Sequence, residues 1–64
     1  MGAPREYLEA KYGIKNVLSL EELEKRFTIE MQTNESAVLK NRNGKIVSCS
    51  RQLDPPLYYN FNKY

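Results

Sequence analysis

The stretch that decides the fold is Ala37-Val38-Leu39-Lys40-Asn41-Arg42-Asn43-Gly44-Lys45-Ile46-Val47-Ser48-Cys49. It is predicted to form a β-hairpin with its turn at Asn41-Arg42-Asn43-Gly44. Asparagine suits the first position of a type I turn, and glycine suits the left-handed position that ends it. A two-residue Asn43-Gly44 loop would instead oppose Lys40 to Val47, so the four-residue bulged turn is favoured.

This register places an apolar stripe on one side of the hairpin. It sets Leu39 opposite Val47 and Ala37 opposite Cys49, and side chains two apart on a strand share a face. Another strand is predicted before the hairpin, because apolar and polar residues alternate over 28–33. The sequence therefore predicts a three-stranded antiparallel meander whose buried face carries Ile29, Met31, Ala37, Leu39, Val47 and Cys49.

Two helices are predicted before the strands. Pro4 suits the first turn of a helix and Gly13 suits the left-handed residue that follows one. The next segment, Ser19-Leu20-Glu21-Glu22, is a capping box: the serine hydroxyl accepts from the amide of the last glutamate, whose carboxylate reaches back. A second helix is therefore expected over 20–27, and both helices are expected to cover the apolar face of the meander.

The predicted fold class is α+β, with two short N-terminal helices packed on a three-stranded antiparallel meander and an extended aromatic C-terminal arm. Residues 1–53 form the ααβββ domain and residues 54–64 the Pro/Tyr-rich arm. The prolines force the arm into an extended path, and its four aromatic rings are too apolar to remain in water. We expect the arm to be ordered, either against Val38 and Ile46 or against a partner.

An alternative interpretation makes 34–43 the recognition helix of a helix-turn-helix, ended by Gly44. The segment Gly44-Lys45-Ile46 followed by Pro55-Pro56-Leu57-Tyr58 then resembles the wing of Z-form nucleic-acid-binding winged helices, which implies a nucleic-acid ligand. The strand interpretation is preferred because Ala37-Val38-Leu39 is continuous, whereas a core-facing helix spaces its apolar residues about 3.6 apart.

Composition limits the classes of protein to consider. A chain of 64 residues with one cysteine and no histidine has neither a disulfide within the chain nor the usual ligands of a zinc site. Such a small core gives thin stability, so we expect a protein partner or self-association. No apolar run approaches the roughly 20 residues that cross a bilayer, so no membrane partner is expected. The free thiol indicates a cytoplasmic location.

The residues offer no catalytic constellation, because the usual base at neutral pH, histidine, is absent. The acids Glu21, Glu22 and Glu24 are explained by the helix dipole, and Cys49 is predicted to be a small core residue. We therefore expect no enzyme, no catalytic or metal-ligating residue, no cofactor and no small-molecule substrate.

Charge is distributed unevenly along the chain. Residues 1–35 carry seven acids and five bases, whereas residues 36–53 carry four bases and no acid. Such asymmetry indicates an anionic partner. The candidate nucleic-acid-binding residues are the four bases of the hairpin region, which could contact phosphates: Lys40, Arg42, Lys45 and Arg51.

The predicted function is a small non-enzymatic protein-binding module, as a regulator, inhibitor or assembly component. It would use the aromatic arm as apolar anchor and the basic hairpin as complementary charge. The candidate partner-binding residues are Leu57, Tyr58, Tyr59 and Phe61. Within the arm, Pro55-Pro56-Leu57-Tyr58 also matches the PPxY pattern read by WW domains. The alternative function is a nucleic-acid-binding regulator using the basic hairpin or a winged-helix-like surface.

Overall fold

A computed structural model describes residues 4–61 of the chain; the predicted arm extends beyond them, at 62–64. Within these residues, five antiparallel strands form one sheet, accompanied by two α-helices and a short 3₁₀ turn (Ile14–Asn16). In chain order the elements are α1 (Pro4–Tyr12), β1 (Val17–Ser19), α2 (Leu20–Arg26), β2 (Thr28–Gln32), β3 (Ser36–Lys40), β4 (Ile46–Gln52) and β5 (Leu57–Tyr59). The order of the strands across the sheet is β1-β5-β4-β3-β2.

The predicted three-stranded meander is wrong, because the sheet has five strands. The expected arm supplies β5, which lies between β4 and β1 rather than over the open face of the sheet. Both added strands are three residues long and pair with each other, with Val17 opposite Tyr59 and Ser19 opposite Leu57. Neither segment is long enough to show a period of two, so the pairing of chain segments about forty residues apart was not predicted.

The two helices lie on opposite faces of the sheet, which also corrects the prediction. Leu8 of α1 packs with Val17 and Leu57 in one small buried cluster. Leu23 of α2 belongs to the larger cluster on the other face, which we call the inner face. Its buried members are Leu18, Leu23, Phe27, Ala37, Leu39, Val47, Cys49 and Tyr58.

The two predicted helices and the capping box are confirmed. Within the described residues the first helix spans Pro4–Tyr12 and is followed by Gly13, whose φ is +104°. At the second helix the Ser19 hydroxyl accepts from the amide of Glu22 at 3.3 Å, and the Ser19 amide donates to the Glu22 carboxylate at 2.9 Å. This helix ends at Arg26, one residue before the predicted end.

The hairpin register is also confirmed, with Leu39 opposite Val47 and Ala37 opposite Cys49. The alternative recognition helix is wrong, because residues 36–40 form β3. Their continuous apolar run suits a strand here because Val38 faces away from the inner face and is only half-buried.

Strand β2 contains an irregularity that the alternating sequence did not predict. Ile29 pairs with Leu39, but the register shifts before Met31, which pairs with Val38. A bulge of this kind inserts one residue and reverses the side-chain alternation beyond it. Ile29 therefore packs on the core, whereas Met31, predicted to be buried, is 62% exposed on the other face.

The outward edge of β1 is covered by an ion-pair network. The guanidinium of Arg5 donates to the Glu22 carboxylate at 2.9 Å and to the carbonyl of Val17 at 3.4 Å, and it also pairs with Glu9 at 3.0 Å. The Ser19 amide is engaged by Glu22. Two main-chain groups of this edge strand thus have side-chain partners, which blunts the edge against pairing with another strand.

Candidate functional site

A groove lies at the end of the sheet where α2 stops and the hairpin turns. The first residue of β2, Thr28, pairs with the last residue of β3, Lys40. This pairing brings the C-terminal turn of α2 beside the turn that follows β3. The resulting groove has a volume of about 190 Å³, and we call it the basic groove; it is lined by Glu24, Lys25, Arg26, Phe27, Thr28, Lys40, Asn41 and Arg42.

The charge of the basic groove is strongly positive. Four of the lining residues are basic and one, Glu24, is acidic. Within residues 4–61, no ion pair involves any of these four cations, since both salt bridges of this region belong to Arg5. Clefts lined by one sign of charge concentrate the electrostatic field and attract counter-ions, so this groove is suited to bind an anion.

The hairpin side of the groove is held by a well-connected turn. Asn41 Oδ1 accepts from the amides of Asn43 and Lys45, both at 2.9 Å, and Gly44 donates to the Asn41 carbonyl at 3.0 Å. Gly44 has a φ of +83°, as the bulged turn requires. These bonds fix the backbone from which Lys40 and Arg42 extend.

The four predicted nucleic-acid-binding residues do not all lie together. Lys40 and Arg42 line the basic groove, and Lys45 follows in the same turn. Arg51 lies six residues farther along β4, roughly 20 Å away at about 3.3 Å per residue. Its guanidinium donates to the Thr33 carbonyl at 2.9 Å and its Cζ lies 5.8 Å from the centre of the Tyr58 ring, so Arg51 has a structural role.

Two groove cations, Lys25 and Arg26, were missed by sequence reasoning. They lie in a segment whose acids outnumber its bases, and the C-terminal turn of a helix commonly carries cations. Only the Thr28–Lys40 pairing brings them to the hairpin. Nothing in the local sequence around Lys25 and Arg26 therefore indicated that they lie beside the hairpin.

Within residues 4–61, no helix packs on the outer face of the sheet over β2, β3 and β4. Helix α1 packs over β1 and β5, while over β2, β3 and β4 the side chains of Met31 and Ile46 are 62% and 55% exposed. Met31 pairs with Val38, and Ile46 is a diagonal neighbour of Val38 across β3 and β4. We call Met31, Val38 and Ile46 the open strip; Lys40 lies opposite Ile46 at its end.

The predicted partner-binding residues of the arm are largely inside the protein. Leu57 is 3% and Tyr58 0% exposed. Tyr59 is half-buried and its ring centre lies 5.1 Å from that of Tyr12. Phe61 is also half-buried and stacks on Phe27 at 5.8 Å. In this fold the PPxY-like segment is inaccessible to a WW domain, because its leucine and tyrosine are core residues.

A second cavity, of about 530 Å³, lies beside β1. Arg5 and Glu22 line it but are already engaged with each other and with the edge of β1. The pKa of Glu22 is lowered, first by the hydrogen bond from the Ser19 amide and then by the one from Arg5. Arg5 and Glu22 thus hold α1, β1 and α2 together, whereas the two other basic residues that line this cavity, Lys15 and Arg26, belong to neither salt bridge of residues 4–61.

The thiol of Cys49 and the potential metal ligands are not arranged as a reactive site in the described residues. Cys49 is buried on the inner face, and this burial raises the pKa of its thiol to about 11. Across residues 4–61, no group of three or more potential ligands is arranged to hold a metal ion. Neither helix in this part of the chain is long and apolar enough to cross a membrane.

Comparison of the chain with protein families, curated proteins and solved structures finds no match in any of the three.

Proposed function

We propose that this chain is a small non-enzymatic module that binds an acidic protein partner through the open strip and the adjacent basic end of the hairpin. The observation that carries the proposal is the exposure of Met31 and Ile46 on the part of the outer face, over β2, β3 and β4, that neither helix covers. The arm contributes indirectly, because β5 completes the sheet that presents this face.

The open strip has the composition of a contact surface. Its three apolar side chains are neighbours, so a partner would remove one continuous patch from water, worth roughly 25 cal/mol for each Å² buried. Lys40 lies directly beside the strip, opposite Ile46. Apolar contact at the centre with charge at the rim is the usual arrangement of an interface, and this cation favours an acidic partner.

A cytoplasmic location is part of the proposal. It is supported by the free thiol of Cys49, which stays reduced in that compartment. Self-association through the same open strip is the competing form of the proposal.

The test compares two substitutions of exposed isoleucines. Ile46→Glu places a carboxylate in the open strip, whereas Ile14→Glu makes the same change at a residue that is 73% exposed in the 3₁₀ turn. Proteins captured from the native host by the wild type should be retained by Ile14→Glu and lost by Ile46→Glu. Equal melting temperatures would show that both variants are folded.

Two outcomes contradict the proposal. Partners that bind Ile46→Glu as well as the wild type would exclude the open strip as the contact surface. Concentration-dependent dimers in sedimentation analysis that Ile46→Glu dissolves, with no other protein captured, would establish self-association instead.

A second candidate function is a nucleic-acid-binding regulator, and a specific observation favours it. The basic groove adds Lys25 and Arg26 to the Lys40 and Arg42 that the sequence indicated. Nucleic-acid affinity rests largely on neutralised phosphates and falls steeply with salt. A salt titration with an oligonucleotide therefore separates this candidate from an interface dominated by apolar contact.

A further inference from the structure

We propose that the basic groove is a binding site for the phosphodiester backbone of a nucleic acid, with Lys25, Arg26, Lys40 and Arg42 as its phosphate contacts. The inference rests on the second candidate function and specifies its site. Two elements distant in sequence supply these residues, two cations each, to one groove of about 190 Å³.

The balance of charge in the groove calls for an anion. Four basic residues line the groove, against one acidic residue, Glu24. Favourable interaction with a helix C-terminus accounts for Lys25 and Arg26. It does not account for Lys40 and Arg42, which extend from the hairpin. Gathering like charges costs electrostatic free energy, and a bound polyanion would offset that cost.

The number and placement of the cations favour a chain of phosphates over one phosphate. A single phosphoryl group carries about −1.5 to −2 charges at neutral pH, which about two cations neutralise. Four cations on both sides of an open groove can instead contact successive phosphates of a backbone.

The groove is built to contact phosphates rather than bases. The aromatic ring among its lining residues, that of Phe27, is only 8% exposed and offers no free face for stacking. Asn41 Oδ1 already accepts from two amides of the turn. Phosphate contacts carry little sequence information, so binding is expected to be independent of sequence.

The experiment measures binding of a fluorescent oligothymidylate of about 12 nucleotides, single-stranded or paired with its complement, between about 50 and about 200 mM salt. Four phosphate contacts predict a slope of log affinity against log salt of about −2.8 for the single strand and about −3.6 for the duplex. For the single strand this is about a 50-fold loss of affinity over that range. The form that binds more tightly shows whether the groove prefers a single-stranded or a double-stranded nucleic acid.

Matched variants locate the site. Arg42→Ala should weaken binding and flatten the single-strand slope by about 0.7, whereas Lys15→Ala, which removes an exposed cation that does not line the groove, should leave the slope unchanged. Glu24→Gln should tighten binding, because it removes the acidic residue of the groove. Glu30→Gln, at an exposed position of β2 outside the groove, should leave the affinity unchanged. Melting temperatures check that all four variants are folded.

Three outcomes overturn the inference. Equal weakening by Lys15→Ala and Arg42→Ala would show that affinity follows net charge; nucleic-acid binding then survives as a function but the groove does not. Absence of binding at low salt would remove both. Polyglutamate and unlabelled oligonucleotide can be compared as competitors at the same concentration of negative charge. If polyglutamate displaces the fluorescent oligonucleotide equally well, the groove is assigned to an acidic protein.

Discussion

The hydroxyl of Tyr58 donates a 2.8 Å hydrogen bond to Oε1 of Gln32, and this bond links β5 to β2 across the width of the inner face. Strands β4 and β3 lie between them, where Ala37 and Cys49 are paired. Both side chains are small, and they share the buried cluster with the Tyr58 ring. The tyrosine therefore packs beneath the hairpin and connects the last strand to the first strand of the meander.

Tyr58→Phe should destabilise the protein by about 0.5–1.5 kcal/mol, because the hydrogen bond is lost while the ring remains packed. Gln32 is exposed and can bond to water instead, which limits the cost. Chemical denaturation measures the change, and Tyr59→Phe is the matched control. A larger loss for the Tyr59 variant would contradict the importance of the Tyr58–Gln32 bond.

Gly44→Ala should cost about 1–2 kcal/mol, since an alanine at a φ of +83° is strained. The cost is conformational, because a Cβ built there would lie an ordinary 3.9 Å from Lys40 Cε. Gly44→Asn should cost less in the same denaturation experiment, as asparagine tolerates positive φ better. Equal stability of the alanine variant and the wild type would refute the bulged turn.

Ser19→Ala should cost about 0.5–2 kcal/mol through loss of the N-cap. Hydrogen exchange should show weaker amide protection in α2, with the hairpin amides as internal reference. Unchanged protection in α2 would mean that its start does not depend on the serine hydroxyl.

Stability should also fall on the acidic side through Glu22. Its pKa is lowered in the folded protein by the Ser19 amide and by Arg5, so its contribution is present above the unfolded pKa of about 4.3. That contribution is lost as the pH falls through the folded pKa. Glu22→Gln should flatten the decline in melting temperature below about pH 5, and Glu21→Gln serves as control; equal curves for Glu22→Gln and wild type would contradict this assignment.

Deletion of residues 54–64 should unfold the chain. The deletion removes β5, the strand that joins β1 to β4, so β1 loses its only neighbouring strand within residues 4–61. It also removes the core residues Leu57 and Tyr58. Circular dichroism and amide dispersion in NMR spectra would show the loss. A truncated chain that retains its melting temperature would contradict the placement of β5 inside the sheet.

The parts of the fold that were predicted correctly are those decided by neighbouring residues. The hairpin register follows from Asn41 and Gly44, and the start of α2 follows from Ser19 and Glu22. Both signals act over a few residues and were sufficient alone. They also placed Lys40 and Arg42 at the same turn, and these are two of the four basic residues of the basic groove.

The parts that were not predicted depend on distant pairing. Strands β1 and β5 are too short to be recognised separately, and each becomes a strand because the other is present. The bulge in β2 reversed Met31 without any glycine to indicate it. Lys25 and Arg26 reach the groove only because β2 begins beside Lys40, so two of the four basic residues of the groove could not be placed there from the local sequence.

The network of Arg5, Glu22 and Ser19 has a consequence for assembly. It closes one side of the sheet to added strands, whereas β2 on the other side has no neighbouring strand within residues 4–61. If two chains paired through their β2 edges, both β2 edges would be occupied. The two β1 edges, whose main-chain groups are already engaged, would be the ones left facing outward. Growth by strand addition would then stop at a pair and would not continue into a fibre.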